Sequence, residues 1–279
     1  MINAMSEASP EPRGRTGPRL VIVGAGKMGG AVLQGAIAAG ALERSDVAIF
    51  HPNQRRLAEL SERFGVAGID AAGLHEAEHV LLGIKPQSFA SVAPVVAQPR
   101  AAFISLMAGV TSETIARRVG SQRVIRAMPN LGASLGVGAT ALAWSPEATT
   151  EDVALARRLF GAVGRVYDLR EELFDAFTGM AGSGPAYVAV VAEALADGGV
   201  RVGLDRSLAR DVARQLLLAS ARLLETKYPS ELKDEVSSAG GTAIAGVRTL
   251  EKHRLRFALM DAIEEATRRA GELSREDGK

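Results

Sequence analysis

The run Leu20-Val21-Ile22-Val23-Gly24-Ala25-Gly26-Lys27-Met28-Gly29 constrains this chain more than any other segment, because four apolar residues empty into a G-x-G-x-x-G turn. A short buried strand followed at once by a helix, 27–39 with Gly40 closing it, is the context that such a turn serves. Gly24 permits a tight turn, Gly26 lets the backbone approach a pyrophosphate, and Gly29 lets the helix pack closely on the sheet. The helix N-terminus then faces the phosphates. The turn therefore predicts a bound dinucleotide, held by Gly24, Gly26, Lys27, Met28 and Gly29.

Short apolar runs continue at 47–50, 80–84, 102–106, 123–126, 140–143 and 164–169. Helical patterns separate them at 54–64, 89–96, 112–119, opened by Ser112, and 151–160. Alternating strands and helices predict an α/β Rossmann domain with a doubly wound, mostly parallel sheet. From Glu171 onward strand-like runs vanish and apolar residues recur at helical spacing, over 186–198, 205–227, 230–236, 242–251 and 254–272. The expected organisation is a disordered tail at 1–18, a dinucleotide-binding domain at 19–170 and an all-α domain at 171–279. Residues 209–224 are apolar over so wide a face that burial on more than one side is expected, and with it a homo-oligomer.

Composition narrows the class. With 279 residues, 47% hydrophobic, 23% charged and a net charge of +1, the chain reads as globular, with neither a nucleic-acid footprint nor a polybasic membrane surface. No apolar run reaches the ~20 residues of a membrane span, and the first 18 residues are too polar for a signal peptide. The absence of cysteine removes thiol chemistry and fits a cytoplasmic protein. His75-Glu76-Ala77-Glu78-His79 satisfies the zinc-hydrolase pattern H-E-x-x-H. His79 abuts a strand, so the two imidazoles are not expected on one helix face, and no metal is expected.

Ligands of doubly wound sheets lie at the carboxyl ends of the strands, which gives the loops there most weight. After the second strand, His51-Pro52-Asn53-Gln54-Arg55-Arg56 contains no acidic residue to accept a ribose 2′-hydroxyl. His51 and Asn53, with Arg55 or Arg56 for a 2′-phosphate, favour NADP, with NAD possible; for each arginine the alternative is a solvated helix start facing water. Lys85 and Pro86 follow the next strand and can approach the cofactor; a surface lysine is the alternative. The amide of Asn130, after Met128-Pro129, can reach ribose or nicotinamide, or cap its own turn. In the helical half, Gly182-Ser183-Gly184-Pro185 reads as a helix start that exposes N–H groups and the Ser183 hydroxyl, or as an interdomain hinge. Ser238-Ala239-Gly240-Gly241-Thr242-Ala243 opens another helix. Its backbone N–H groups and the Ser238 and Thr242 hydroxyls form a carboxylate cradle, against the alternative of a plain break between helices.

Together these motifs resemble the pyrroline-5-carboxylate reductase family. The resemblance runs nearly end to end, through Val23 to Gly29, Lys85-Pro86, Ala108-Gly109-Val110, Met128-Pro129-Asn130, Gly182 to Tyr187, Val202-Gly203-Leu204 and Gly240-Gly241-Thr242. It implies NAD(P)H-dependent reduction of 1-pyrroline-5-carboxylate to L-proline by hydride transfer to the C=N carbon. It also implies a helical substrate and dimerisation domain that intertwines with its partner into a homodimer or larger assembly. The imino acid would be held by Gly240, Gly241, Thr242 and Ala243 with Ser183, and Thr242 and Ser238 would supply the catalytic hydroxyls. The chain departs from the family pattern at Ala243, where a hydroxyl residue is usual, and at Ala239, Leu131-Gly132 and Arg254-Leu255-Arg256. These departures leave two alternatives, a paralogue that reduces another cyclic imino acid and a nucleotide-binding regulator without turnover.

Overall fold

A computed structural model describes residues 18–277, with side chains described to residue 274. The tail expected at 1–18 lies outside the described residues except for Pro18. The chain divides into two compact units, one running to Glu172 and including Ser274 onward, the other spanning Leu173–Leu273.

The first unit is an eight-stranded sheet of order β3-β2-β1-β4-β5-β6-β7-β8. Strands β1 (Leu20–Val23), β2 (Val47–Phe50), β4 (His79–Leu82) and β5 (Ala102–Ser105) are buried at every residue, as parallel strands covered on both faces must be. Strand β3 is Ala67–Ile69, β6 Val124–Pro129, β7 Gly138–Trp144 and β8 Gly164–Asp168. All neighbours pair parallel except β6 and β7, which run antiparallel because the chain reverses between Asn130 and Val137.

Alternation along the strands sorts their side chains into two cores, since successive residues point to opposite faces. Leu20 and Ile22 join Leu81, Ile104, Leu33 and Phe160 in one cluster. Val21 and Val23 join Val80, Leu82, Phe103 and Phe89 in the other. Each large side chain fully buried here contributes about 1.5–3 kcal/mol.

The covering helices are α1 (Lys27–Ala38), α2 (Gln54–Phe64), α3 (Ala71–Leu74), α4 (Phe89–Val96), α5 (Ser112–Val119) and α6 (Thr150–Gly161). α2 shows why: Leu57, Leu60 and Phe64 fall on one face at helical spacing and are buried, while the remaining face is charged. Several details differ from expectation, among them helix α3, which the sequence reading lacks, and β4, which starts at His79 and ends at Leu82. Strand β3, absent from the sequence reading, is a short exposed edge of Ala-Gly-Ile with almost no apolar signal. Helix α5 is capped by Thr111, whose hydroxyl accepts from Thr114 N, and Ser112 is its first helical residue.

The second unit is all helix, as the periodicity predicted. α7 (Phe174–Phe177) runs through a π-helical turn (Thr178–Gly182) into α8 (Gly184–Arg201). There follow α9 (Arg206–Leu223), α10 (Pro229–Glu235), α11 (Thr242–Lys252) and α12 (Leu255–Asp277). Ala209 and Ala213 of α9 are buried, and Ala209 packs near Gly199 of α8, where a Cβ would come within 3.2 Å of it. Burial of 209–224 on several sides is not found within one chain. Leu216 and Leu218 are exposed, as are Val190, Phe257 and Met260, because the apolar surface of these helices exceeds what a single copy covers. No described helix is long and apolar enough to cross a membrane.

Candidate functional site

The sheet order reverses direction about β1, which lies between β2 and β4. Ligands of doubly wound sheets bind in the crevice outside the carboxyl ends at such a point. Val23 pairs with Phe50 on one side and Leu82 on the other. The next residue of each strand, Gly24, His51 and Gly83, therefore forms the rim of that crevice.

Three glycines lock this rim together. Gly24 has φ +94°, and a Cβ on it would lie 2.7 Å from the carbonyl carbon of Gly83. A Cβ on Gly29 or on Gly83 would lie 2.5 Å from the Gly24 oxygen. The ends of β1 and β4 and the first turn of α1 meet at backbone distance, which only glycine allows. Gly83 was missed in the sequence, where it closes an apolar strand with no turn motif around it.

Gly26 is different. It is the N-cap residue of α1, with φ −76° and ψ −152°, and a Cβ there would meet nothing within 4 Å. Packing does not require glycine at this position. A phosphate approaching the backbone does, and α1 has no side-chain cap to compete for its first N–H groups. The residues present thus fit a dinucleotide pyrophosphate. A cleft of about 750 Å³ opens beside the turn, lined by Gly26, Lys27, Met28, Ala31, Leu131 and Ser134.

The other expected cofactor contacts lie around the same edge. His51 is half-buried, and its Nδ1 accepts from Asn53 N at 3.1 Å. The Asn53 Oδ1 accepts from Arg56 N at 3.0 Å and caps α2, so that oxygen is committed to the helix. Arg55 and Arg56 both reach Glu59, at 3.5 and 2.8 Å, in exposed pairs worth a fraction of a kcal/mol. Lys85 is exposed at the entry to a 3-10 turn begun by Pro86 (Pro86–Ser88). Asn130 follows β6, but its Oδ1 accepts from Gly132 N and Ala139 N, both at 3.1 Å. That oxygen holds the β6–β7 reversal, as an Asx turn does.

In the helical unit Ser183 is the N-cap of α8, without a side-chain cap and with Pro185 in the first turn; it follows the π turn directly, so its own N–H donates to Thr178 O, and Ala186 N donates to Ser183 O. Gly179 serves packing, since a Cβ on it would lie 2.4 Å from the Thr267 hydroxyl of α12, and Tyr187 donates to Gly179 O at 3.0 Å, whereas a Cβ on Gly184 would meet nothing within 4 Å. The π turn is a feature often found at functional sites, and apolar periodicity gives no sign of it.

The start of α11 is a helix entrance without a side-chain cap. Gly241 is the N-cap, and its N–H donates to Ser238 O at 3.0 Å. A Cβ on Gly241 would lie 2.3 Å from Ser238 Oγ, so the Ser238 hydroxyl sits directly over the helix entrance. Thr242 is exposed at the first helical position, Gly240 is open, and Ala243 brings no hydroxyl to the second.

The two histidines of the H-E-x-x-H run sit on different elements. His75 ends α3, whereas His79 begins β4 with Nε2 2.8 Å from Asp152 Oδ1. Asp152 also accepts from Arg123 Nε at 2.8 Å and from Thr149 N at 2.9 Å. Burial opposes ionisation of Asp152, but Arg123, Thr149 N–H and His79 outweigh it and bring its carboxyl down to about 2. Burial also lowers the His79 imidazole, against the pull of Asp152. This network lies at the amino ends of the strands, opposite the glycine rim, and ties β4 to α6.

A doubly wound sheet with an open glycine turn at its switch point, followed by a separate helical unit, defines a Rossmann-type dinucleotide-binding protein. Comparison with known proteins narrows the class. Residues 171–273 match the family model described as pyrroline-5-carboxylate reductase dimerisation, and residues 19–109 match that described as NADP oxidoreductase coenzyme F420-dependent. The chain is 48% identical over 256 residues to the pyrroline-5-carboxylate reductase of Thermus thermophilus, covering 91% of this chain and 98% of that relative. It is 38% identical to the pyrroline-5-carboxylate reductase of Pisum sativum, over 91% and 96% of the two chains. Among solved structures it resembles the pyrroline-5-carboxylate reductase of Coxiella burnetii, with a TM-score of 0.83 and 30% identity over 92% and 98% of the chains. The fold is also that of the Plasmodium falciparum pyrroline carboxylate reductase with NADP bound, TM-score 0.80 at 23% identity, over 94% and 100% of the chains. The chain belongs to the pyrroline-5-carboxylate reductase family.

Proposed function

We propose that the protein reduces 1-pyrroline-5-carboxylate to L-proline with NADPH, NADH being the alternative donor, as a cytoplasmic homo-oligomer of intertwined helical domains. The observation that carries this reading is a pair of open glycine N-caps in one chain of this family, Gly26 on α1 and Gly241 on α11. Each heads a helix long enough to present a useful dipole, and each suits an anion. The first takes the cofactor pyrophosphate, against Gly24, Gly26 and Gly29 with Lys27 and Met28. The second takes the substrate carboxylate, against the N–H groups of Gly240, Thr242 and Ala243, the Gly241 N–H being already given to Ser238 O.

The reduced nicotinamide, when bound, supplies the hydride that adds to the C=N carbon. The chain's own task is to hold two reactants in register and keep water away. Lys85 and Pro86 border the cofactor at the end of β4, and His51 and Arg55 border it at the end of β2. The Ser238 and Thr242 hydroxyls orient the imine nitrogen, with the Ser183 hydroxyl beside the substrate. A ring nitrogen protonated from solution is already electrophilic, so no general acid of shifted pKa is required.

Thr242→Ala and Ser238→Ala test the assignment. Each is expected to raise the KM for 1-pyrroline-5-carboxylate by about tenfold, the worth of one hydrogen bond to a charged group, while NADPH affinity stays unchanged. Unchanged KM in both variants would remove the cradle from the mechanism. Ala243 favours a second reading, reduction of a different cyclic imino acid, which higher kcat/KM on a six-membered imine than on the five-membered one would establish.

A further inference from the structure

The chain passes between its two units twice, leaving the first after Glu172 and rejoining it at Ser274. Within the first unit both passages are gripped by one segment, the loop 106–111 between β5 and α5 with the helix start that follows it. At the first passage Glu171 Oε1 accepts from Ser112 N at 2.8 Å and from the Arg126 guanidinium of β6 at 2.9 Å. Arg126 is buried in the sheet, where a guanidinium is tolerated only when paired, and the N-terminal end of the α5 dipole adds to the pull on a carboxylate. At the second passage Gly109 lies against Ser274. With φ +76°, a Cβ on Gly109 would come 3.0 Å from Ser274 Cα and 3.2 Å from Ser274 N, so the two backbones approach as only glycine allows. The loop itself is firmly founded: Met107 and Val110 are buried in the second core, Met107 N donates to Ser105 Oγ at 3.2 Å, and Thr111 caps α5. It leaves the carboxyl end of β5, the side of the sheet on which the crevice lies.

We propose that this loop is a clamp on both passages of the chain, and that Glu171 and Gly109 are positioning residues for hydride transfer. A hold at two points removes freedom that a single connecting segment would leave, and a misplacement of about 1 Å between reacting groups can cost about a hundredfold in rate. The inference rests on the proposed reductase activity, and it goes further in assigning part of the rate to residues outside the glycine turn and the cradle.

The test is steady-state turnover of 1-pyrroline-5-carboxylate, with NADPH-binding sites counted by titration calorimetry on the same full-length samples. Glu171→Ala removes the first hold, and Gly109→Ala disturbs the second while leaving the Arg126 pair in place. Each is expected to lower kcat per NADPH-binding site by about tenfold or more, with NADPH affinity unchanged. Glu171→Gln keeps an oxygen that can accept from Ser112 N and Arg126, and is expected to return most of the lost rate. A purely structural role would reduce the number of binding sites and leave kcat per site at the value of the unmodified protein. That result in either alanine variant overturns the clamp, and a Glu171→Gln variant as slow as Glu171→Ala overturns the hydrogen-bonded anchor at Glu171. No turnover by the unmodified protein, with NADPH bound, would instead overturn the reductase reading, and the role of the clamp in hydride transfer with it.

Discussion

Gly26 and Gly83 are both glycines at the rim of one crevice, yet they are glycines for opposite reasons. A Cβ on Gly83 would collide with the Gly24 carbonyl at 2.5 Å, whereas one on Gly26 would meet no atom of the chain. Gly83→Ala is therefore expected to cost about 1–3 kcal/mol of stability through overpacking against backbone, measured by urea unfolding. Gly26→Ala is expected to leave stability within about 0.5 kcal/mol and to weaken NADPH binding. The reverse pattern would mean that Gly26 is structural. At this scale the sequence was legible where a motif fixes spacing, as at Gly24, Gly26 and Gly29. It was silent on Gly83, whose role comes from the neighbour across the sheet. It was ambiguous at Asn130, because the same carboxamide can cap a turn or meet a ligand, and its oxygen accepts from the backbone N–H of Ala139, nine residues on, which no local pattern shows.

Elements were read most safely where burial is complete. The strands LVIV and VAIF end where their apolar runs end, because a parallel strand covered on both faces has no polar alternation to blur it. The edge strand Ala67–Ile69 and the π turn before α8 escaped, the first for want of apolar residues, the second because helical periodicity does not reveal one inserted residue. A long-range tie was equally hidden: His79 opening β4 and Asp152 in the first turn of α6 are far apart in sequence and 2.8 Å apart in space. Both groups have pKa values depressed by folding, His79 below 6.5 and Asp152 to about 2 from 3.8. The unfolded chain then binds more protons, so their contribution is fully present above pH 6.5 and is lost as pH falls, first through His79 and then through Asp152. Unfolding free energy is expected to be lower at pH 4.5 than at pH 7.5, mainly through His79, and Asp152→Asn, which removes the pull that opposes burial at His79, to steepen that dependence while costing about 2–3 kcal/mol at neutral pH. An unaltered slope in the variant would contradict this account of the network.

For the whole molecule, the helical unit is the part that one chain leaves unfinished. Val190, Leu218, Phe257 and Met260 stand more than half exposed on helices whose periodicity demanded burial, and residues 171–273 match a dimerisation family. Light scattering is expected to give at least twice the mass of one chain, and a stable monomer would contradict the oligomer. That demand for burial was legible in the sequence, but what satisfies it lies outside the chain. The claim on which the rest depends is the chemistry itself. The most direct measurement mixes purified protein, NADPH and freshly prepared 1-pyrroline-5-carboxylate, follows loss of reduced nicotinamide, and identifies the product by chiral chromatography. Stoichiometric appearance of L-proline with consumption of NADPH is the predicted result. NADPH that binds but is not oxidised, with no proline formed, would contradict the assignment.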